Sequence, residues 1–234
     1  MAGGLGERLR PLTKIIPKPL LPVGERSVLE ITLLALRRSG VRRIFVALNY
    51  QSELFKAFLG DGSRWNLSIE CSVEDIPLGT AGPLRLFASK LRRSFIVLNG
   101  DILTNLDFRE LLRFHRRRKA MLTVATKRIT LPLRYGVIDA AEGWIRQVQE
   151  KPNLSAEVVA GIYACHPAVL EFIPPNRYFT MIELIQRLLA ERLPVAQFPI
   201  QDYWLDIGQL EDYEQAQQLY AQGVFDHVLK ADGA

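Results

Sequence analysis

Gly3, Gly4 and Gly6, followed by Arg8, Arg10 and the framed lysine of Pro17-Lys18-Pro19, gather the residue types that handle phosphate. Glycines without a Cβ let successive backbone N–H groups turn toward one anion and let it approach closely. Arg8 and Lys18 add full charge beside those partial charges. Pro17 and Pro19 restrict the chain on either side of Lys18, so its ammonium is presented from a stiff segment. Neither common glycine-rich nucleotide loop fits. A Walker loop ends in Gly-Lys-Ser/Thr, and a dinucleotide fingerprint needs Gly-x-Gly-x-x-Gly, whereas Leu9 stands where the last glycine would be.

A second candidate is Asp101, which follows Leu98-Asn99-Gly100 at the end of an apolar run. Open α/β sheets hold ligands beyond the carboxyl ends of their strands. An aspartate there either caps a turn or holds a cation. Next to a polyphosphate loop the cation reading is favoured, because polyphosphates need a hard ion on carboxylate oxygens.

Elements must exist to position these groups. Ser27-Val28-Leu29-Glu30 reads as a capping box opening an amphipathic helix that ends near Arg37, Arg38 and Gly40. Apolar runs predict strands over 44–48, 68–73 and 95–98, alternating with helices over 52–59 and about 83–91. Such alternation implies right-handed βαβ units, a largely parallel sheet and helices on both faces. The second half is richer in strands, with candidates at 121–127, 135–139, 144–149, 158–164 and 195–199, before a last helix at about 210–221. No linker or repeat divides the chain.

With 234 residues, 48% of them hydrophobic, the chain can bury a full core and reads as one globular domain. No apolar run approaches a membrane helix, which predicts a cytoplasmic protein with no membrane partner. Cys71 and Cys165 read as buried free thiols, and His115, His166 and His227 share no metal-ligand spacing. The net charge of +5 suits anionic small substrates. Its densest cluster, Arg116-Arg117-Arg118-Lys119, reads as the cationic last turn of a solvated helix starting at Asp107, and no aromatic interleaving marks a nucleic-acid surface.

The opening stretch, from Ala2-Gly3-Gly4-Leu5-Gly6 through Arg8-Leu9-Arg10-Pro11-Leu12-Thr13 to Pro17-Lys18-Pro19-Leu20-Leu21-Pro22-Val23, resembles the signature of the sugar-1-phosphate nucleotidylyltransferases, or NDP-sugar pyrophosphorylases. The resemblance runs on to about Tyr220 and looks most like mannose-1-phosphate guanylyltransferase-like members. It implies the nucleotide-diphospho-sugar transferase fold, a Rossmann-like mixed sheet. It also implies that Ala2, Gly3, Gly4 and Gly6 bind nucleotide, that Arg8 and Lys18 are catalytic, and that Asp101 binds Mg²⁺. Trp204-Leu205-Asp206-Ile207-Gly208 resembles the family segment that supplies a second metal carboxylate, Asp206. Pro77-Leu78-Gly79-Thr80-Ala81-Gly82 resembles the segment that closes over the nucleobase, giving Gly79 and Thr80 a nucleotide role. Tyr135-Gly136-Val137, Glu150-Lys151-Pro152 and Ala160-Gly161-Ile162-Tyr163 resemble sugar-side segments. By that resemblance Gly136 lets the sugar approach the backbone, Gly161 belongs to a further sugar-side segment, Glu150 holds the sugar hydroxyls, and Lys151 grips the sugar phosphate and aligns it as nucleophile. The family often has asparagine where this chain has Val159, so sugar choice stays open.

The reaction so implied transfers a nucleoside monophosphate from an NTP, GTP by this wording, to a hexose-1-phosphate such as mannose-1-phosphate. Thymidylyl or uridylyl transfer, or a catalytically weak nucleotide-sugar sensor, are the alternatives. Residues 1–222 form the nucleotidyltransferase unit and 223–234 a tail; a homo-oligomer is compatible with this. In the fold so implied a buried strand leads into the phosphate loop, yet Met1 stands immediately before it. The expectation is a sheet lacking its first strand, and a natural protein extending upstream, with room for a regulatory module.

Overall fold

A computed structural model describes Met1 and residues Gly6 to Leu229. After a short hairpin of β1 (Pro22–Val23) and β2 (Arg26–Ser27), α1 spans Val28–Arg38. Ser27 caps it by accepting from the Glu30 N–H at 3.1 Å. The Glu30 carboxylate serves tertiary contacts, taking Arg26 at 2.6 Å and the Trp65 indole at 3.3 Å. β3 (Arg43–Leu48), α2 (Ser52–Leu59), β4 (Ser68–Val73) and β5 (Phe95–Leu98) fall where the apolar runs place them. The expected helix at 83–91 is instead a 3-10 segment, Gly82–Phe87. The N–H groups of Ala81 and Gly82 are both drawn to the Phe179 carbonyl, and i to i+3 bonds follow through Ala88 and Lys90, so the wider α turn never starts.

Next come β6 (Ile102–Thr104) and α3 (Phe108–Arg118), which is capped by Asp107 as its sequence implies. The strand-rich half consists of β7 (Leu122–Pro132), β8 (Val137–Ala141), β9 (Trp144–Gln149) and β10 (Asn153–Cys165). It is followed by α4 (Met181–Ala190), β11 (Val195–Pro199), β12 (Trp204–Asp206), α5 (Leu210–Ala221) and α6 (Asp226–Leu229). Phe225 and Val228, beyond the expected boundary at 222, are buried.

The main sheet runs β11-β7-β10-β5, with β11 parallel to β7 and β10 antiparallel to both its neighbours. β3 and β4 pair in parallel as a separate section. The architecture is the expected mixed α/β sheet with helices packed on it, and β10 is its reversed strand.

α1 is buried on two sides, and this positions the loop before it. Leu29, Leu33 and Leu36 pack with Val46, Leu48 and Phe55 in the main core. Val28 and Ile31 face a second cluster containing Leu9, Leu21, Val23, Leu103, Ile207 and Phe225. Leu9 and Leu21 thus clamp the start of the chain onto the helix, each such buried leucine contributing about 2 kcal/mol.

Candidate active site

The first turn of the described loop depends on Gly6. Its φ is +61°, and a Cβ there would lie 2.9 Å from Thr13 Cγ2. The Gly6 carbonyl accepts from the Leu9 N–H at 3.0 Å and the Thr13 hydroxyl at 2.7 Å, closing the turn that carries Arg8 outward. Ala2, Gly3 and Gly4, the other expected nucleotide contacts, lie outside the described residues. Pro17-Lys18-Pro19 folds as a 3-10 turn with both prolines buried, which aims Lys18 inward.

Lys18 Nζ lies 2.6 Å from Asp101 Oδ2 and 3.7 Å from Asp206 Oδ1. The two carboxylates meet because β12 pairs antiparallel to β6 with Asp206 opposite Ile102, the residue after Asp101. The Asp101 carbonyl accepts from the Ile207 N–H at 3.1 Å, and the Trp204 indole donates to the Ala160 carbonyl at 2.8 Å, fixing β12 against β10. Arg8 completes the cluster: its guanidinium nitrogens lie 3.9 Å from where a Gly208 Cβ would be. Partial burial and the Asp101 charge push the Asp206 carboxyl above its ordinary range, against the opposing pull of Lys18 and Arg8. Two adjacent carboxylates beside the Lys18 amine and the Arg8 guanidinium form a hard-oxygen pair suited to a divalent cation.

Lys18 and Asp101 line a cavity of about 300 Å³ together with Met1, Asn49, Glu74, Gly79, Thr80, Asn99 and Tyr178. The segment holding Gly79 and Thr80 is pinned from behind. Gly79 has φ +78°, and a Cβ would lie 2.7 Å from the Phe179 carbonyl. The Thr80 hydroxyl accepts from the Met181 N–H at 2.9 Å, and Glu74 accepts from the Leu78 N–H at 2.9 Å. The Thr80 hydroxyl oxygen is thus tied to the start of α4, with its O–H proton still free to donate.

Gly136, Glu150 and Lys151 do not line this cavity. They sit together on the exposed arm of β7 to β10: a Gly136 Cβ would lie 3.1 Å from Glu150 Oε2, and Lys151 pairs with Glu150 at 3.7 Å. Gly161 is placed differently. It lies at the register shift in β10 between Val159 and Tyr163, with φ +68°, and a Cβ would lie 2.8 Å from Asn99 Nδ2. Its absent side chain makes room for Asn99, whose buried Oδ1 has no protein partner. Asn99, Glu74, Asn49 and Tyr178 are cavity residues that the sequence reading missed. Asn99 is the one with a signal in the sequence, standing two residues before Asp101.

Outside the site, Cys71 is half-buried and Cys165 fully buried, both free, and burial pushes the Cys165 thiol far up. His115 is structural, bonded to the Thr123 hydroxyl at 2.9 Å. Among the described residues no helix is long and apolar enough to cross a membrane.

The nucleotidyl transferase family profile matches residues 1–223. The chain is 34% identical over 236 residues to mannose-1-phosphate guanyltransferase of Schizosaccharomyces pombe, covering 97% of this chain and 65% of that one. It is 35% identical over 235 residues to mannose-1-phosphate guanylyltransferase 1 of Arabidopsis thaliana, covering 94% and 63%. It therefore spans just under two thirds of the length of these curated relatives. Among solved structures, a Bacillus anthracis protein provisionally called a glucose-1-phosphate thymidylyltransferase, in complex with a sucrose, superposes with a TM-score of 0.77 at 25% identity, covering 100% of this chain and 95% of that one. HddC from Yersinia pseudotuberculosis does so at 0.74 and 26%, covering 94% and 96%.

Proposed function

The chain belongs to the nucleotidyl transferase family, and from that premise we propose that it transfers a nucleoside monophosphate from GTP to mannose-1-phosphate, giving GDP-mannose and pyrophosphate. The observation carrying this reading is the convergence of Lys18, Asp101, Asp206 and Arg8 beside a cavity walled by Gly79 and Thr80. The guanylyltransferase names of the curated relatives supply the base and the sugar.

The chemistry follows from charge. An oxygen of the sugar phosphate attacks the α-phosphorus in line, a new P–O bond forms, and the bond to the β-phosphate oxygen breaks as pyrophosphate departs. The nucleophile is already ionised at neutral pH, so no general base is needed and catalysis is positioning plus neutralisation. Arg8 and Lys18 balance charge on the α-phosphate and the leaving group. Asp101 and Asp206 would hold Mg²⁺, which when bound neutralises phosphate oxygens as a Lewis acid. Lys151 aligns the sugar phosphate, and Glu150 receives sugar hydroxyls. Gly79 and Thr80 present backbone to the base.

Pyrophosphate release from each NTP across a panel of sugar-1-phosphates tests the assignment. GTP with mannose-1-phosphate should give the highest kcat/KM, and a higher value for another pair would reassign the substrates.

A further inference from the structure

Lys127 is a half-buried residue of β7 that lies outside the phosphate cavity and spends its ammonium on backbone. Its Nζ donates to the carbonyls of three successive residues, Asp202 at 2.7 Å, Ile200 at 3.3 Å and Gln201 at 3.5 Å. An ammonium has three donors and no acceptor, so this grip uses its whole capacity. Lysines on a sheet surface ordinarily keep the charged head in water, and ordering one costs up to about 2 kcal/mol of rotamer freedom. Here that freedom is given up to hold one short stretch of chain.

The stretch it holds is the lead-in to β12. The next carbonyl, that of Tyr203, accepts from the Thr104 hydroxyl at 2.7 Å, so residues 200–203 are anchored between β7 on one side and β6 on the other. At the other end, the Ile200 N–H bonds to the carbonyl of Thr126, next to Lys127, at 2.8 Å. The Trp204 indole steadies the first residue of β12 from the β10 side, and Lys127 fixes the chain that precedes it. β12 then pairs with β6 over three residues, ending with Asp206 opposite Ile102. Three pairs give a ladder little with which to set its own register, and a slip of one residue turns every side chain to the other face. Such a slip would carry the Asp206 carboxylate away from Lys18, which it now faces at 3.7 Å.

We propose that Lys127 is a positioning residue: by holding the 200–202 carbonyls it sets the register of β12 and so delivers the Asp206 carboxylate to Asp101 and Lys18. The role is geometric. Lys127 lines no part of the phosphate cavity and its bonds go to the 200–202 backbone, so it acts on turnover only through where Asp206 stands. Its consequence for turnover rests on the reading of Asp206 as a metal carboxylate, whereas its consequence for the register does not. In residue order, Thr126-Lys127-Arg128 shows only one more cation on a strand.

The test compares the parent with Lys127→Met, which keeps the stem and loses the donors, and with Lys127→Ala supplied with n-propylammonium, which restores the missing atoms. Amide hydrogen exchange is read at Ile207, whose N–H bonds to the Asp101 carbonyl, and at Val46 in the core, together with kcat and KM. In Lys127→Met, exchange at Ile207 should quicken at least about tenfold while Val46 keeps the parent rate. Turnover of GTP with mannose-1-phosphate should fall at least about tenfold, with KM for GTP within about twofold of the parent. n-Propylammonium should reverse both changes in Lys127→Ala, and tetramethylammonium, a cation without N–H, should not. Parent exchange at Ile207 in Lys127→Met overturns the proposal, as does quickening shared equally by Val46, which marks a loss of global stability. Rescue by tetramethylammonium also overturns it, because charge and not hydrogen bonding would then be acting. Faster Ile207 exchange at the parent kcat upholds the register role and refutes instead the metal reading of Asp206.

Discussion

Lys18 reaches Asp101 at 2.6 Å and so stands, as an ammonium, where the two carboxylates of the site converge. It belongs to a turn whose two prolines are buried, so the amine is held there by the fold and not by its own flexible stem. Removing either carboxylate would leave the proposed cation site with one of its two carboxylates. Asp101→Asn or Asp206→Asn should lower turnover at least about 100-fold while circular dichroism and Tm stay near the parent values. Turnover within a few-fold of the parent in either variant would sink the metal assignment.

Lys18 also screens the carboxylates from each other. In Lys18→Met only Arg8 still opposes the pair, so binding of Mn²⁺ in the absence of nucleotide should tighten on the order of tenfold even as pyrophosphate release collapses. Titration calorimetry reads the first effect independently of activity. Unchanged Mn²⁺ affinity would mean that the amine does not compete for the site.

The proposed sugar and nucleotide roles are separable by mutation. Lys151→Ala should raise KM for the sugar phosphate with little change in NTP affinity, whereas Arg8→Ala should lower kcat/KM for both substrates, because Arg8 sits beside Asp206 and Gly208. Loss of NTP affinity in Lys151→Ala with sugar-phosphate affinity intact would reverse the two roles.

Gly79→Ala places a methyl 2.7 Å from the Phe179 carbonyl in a left-handed backbone. The strain should cost about 1–3 kcal/mol of stability, seen as a lower denaturation midpoint, and should raise KM for the NTP as the segment lifts from α4. A midpoint equal to the parent would show that Phe179 yields without cost.

His115 links stability to acid. Burial, with His166 and Arg116 nearby, lowers its pKa below the ordinary 6.5. As pH falls through that ordinary value, the unfolded chain takes up a proton here and the folded chain does not, so stability drops on acidification. His115→Gln should flatten the dependence of the urea midpoint between about pH 7 and 5.5. Identical slopes in both proteins would show that this imidazole titrates alike in both states.

Much of this was decided locally, and local decisions are legible in residue order. β4 at Ser68–Val73, β5 at Phe95–Leu98 and α5 at Leu210–Ala221 follow from apolar runs and helix punctuation within a few residues of themselves. The proline-framed lysine and the strand-end aspartate likewise point, by residue type, to the phosphate and cation chemistry proposed above. What no local pattern contains is who stands opposite whom. Asp206 meets Asp101 only through the register of β12 on β6, and Asn99 enters the cavity only because Gly161 on another strand leaves it room. The same holds where the helix expected at 83–91 yielded to a 3-10 segment: the Phe179 carbonyl, far along the chain, claims the N–H groups that begin it. Backbone periodicity is set by neighbours in sequence, whereas strand register and the fate of each hydrogen-bonding group are set by whichever distant segment packs there, which only the folded chain decides.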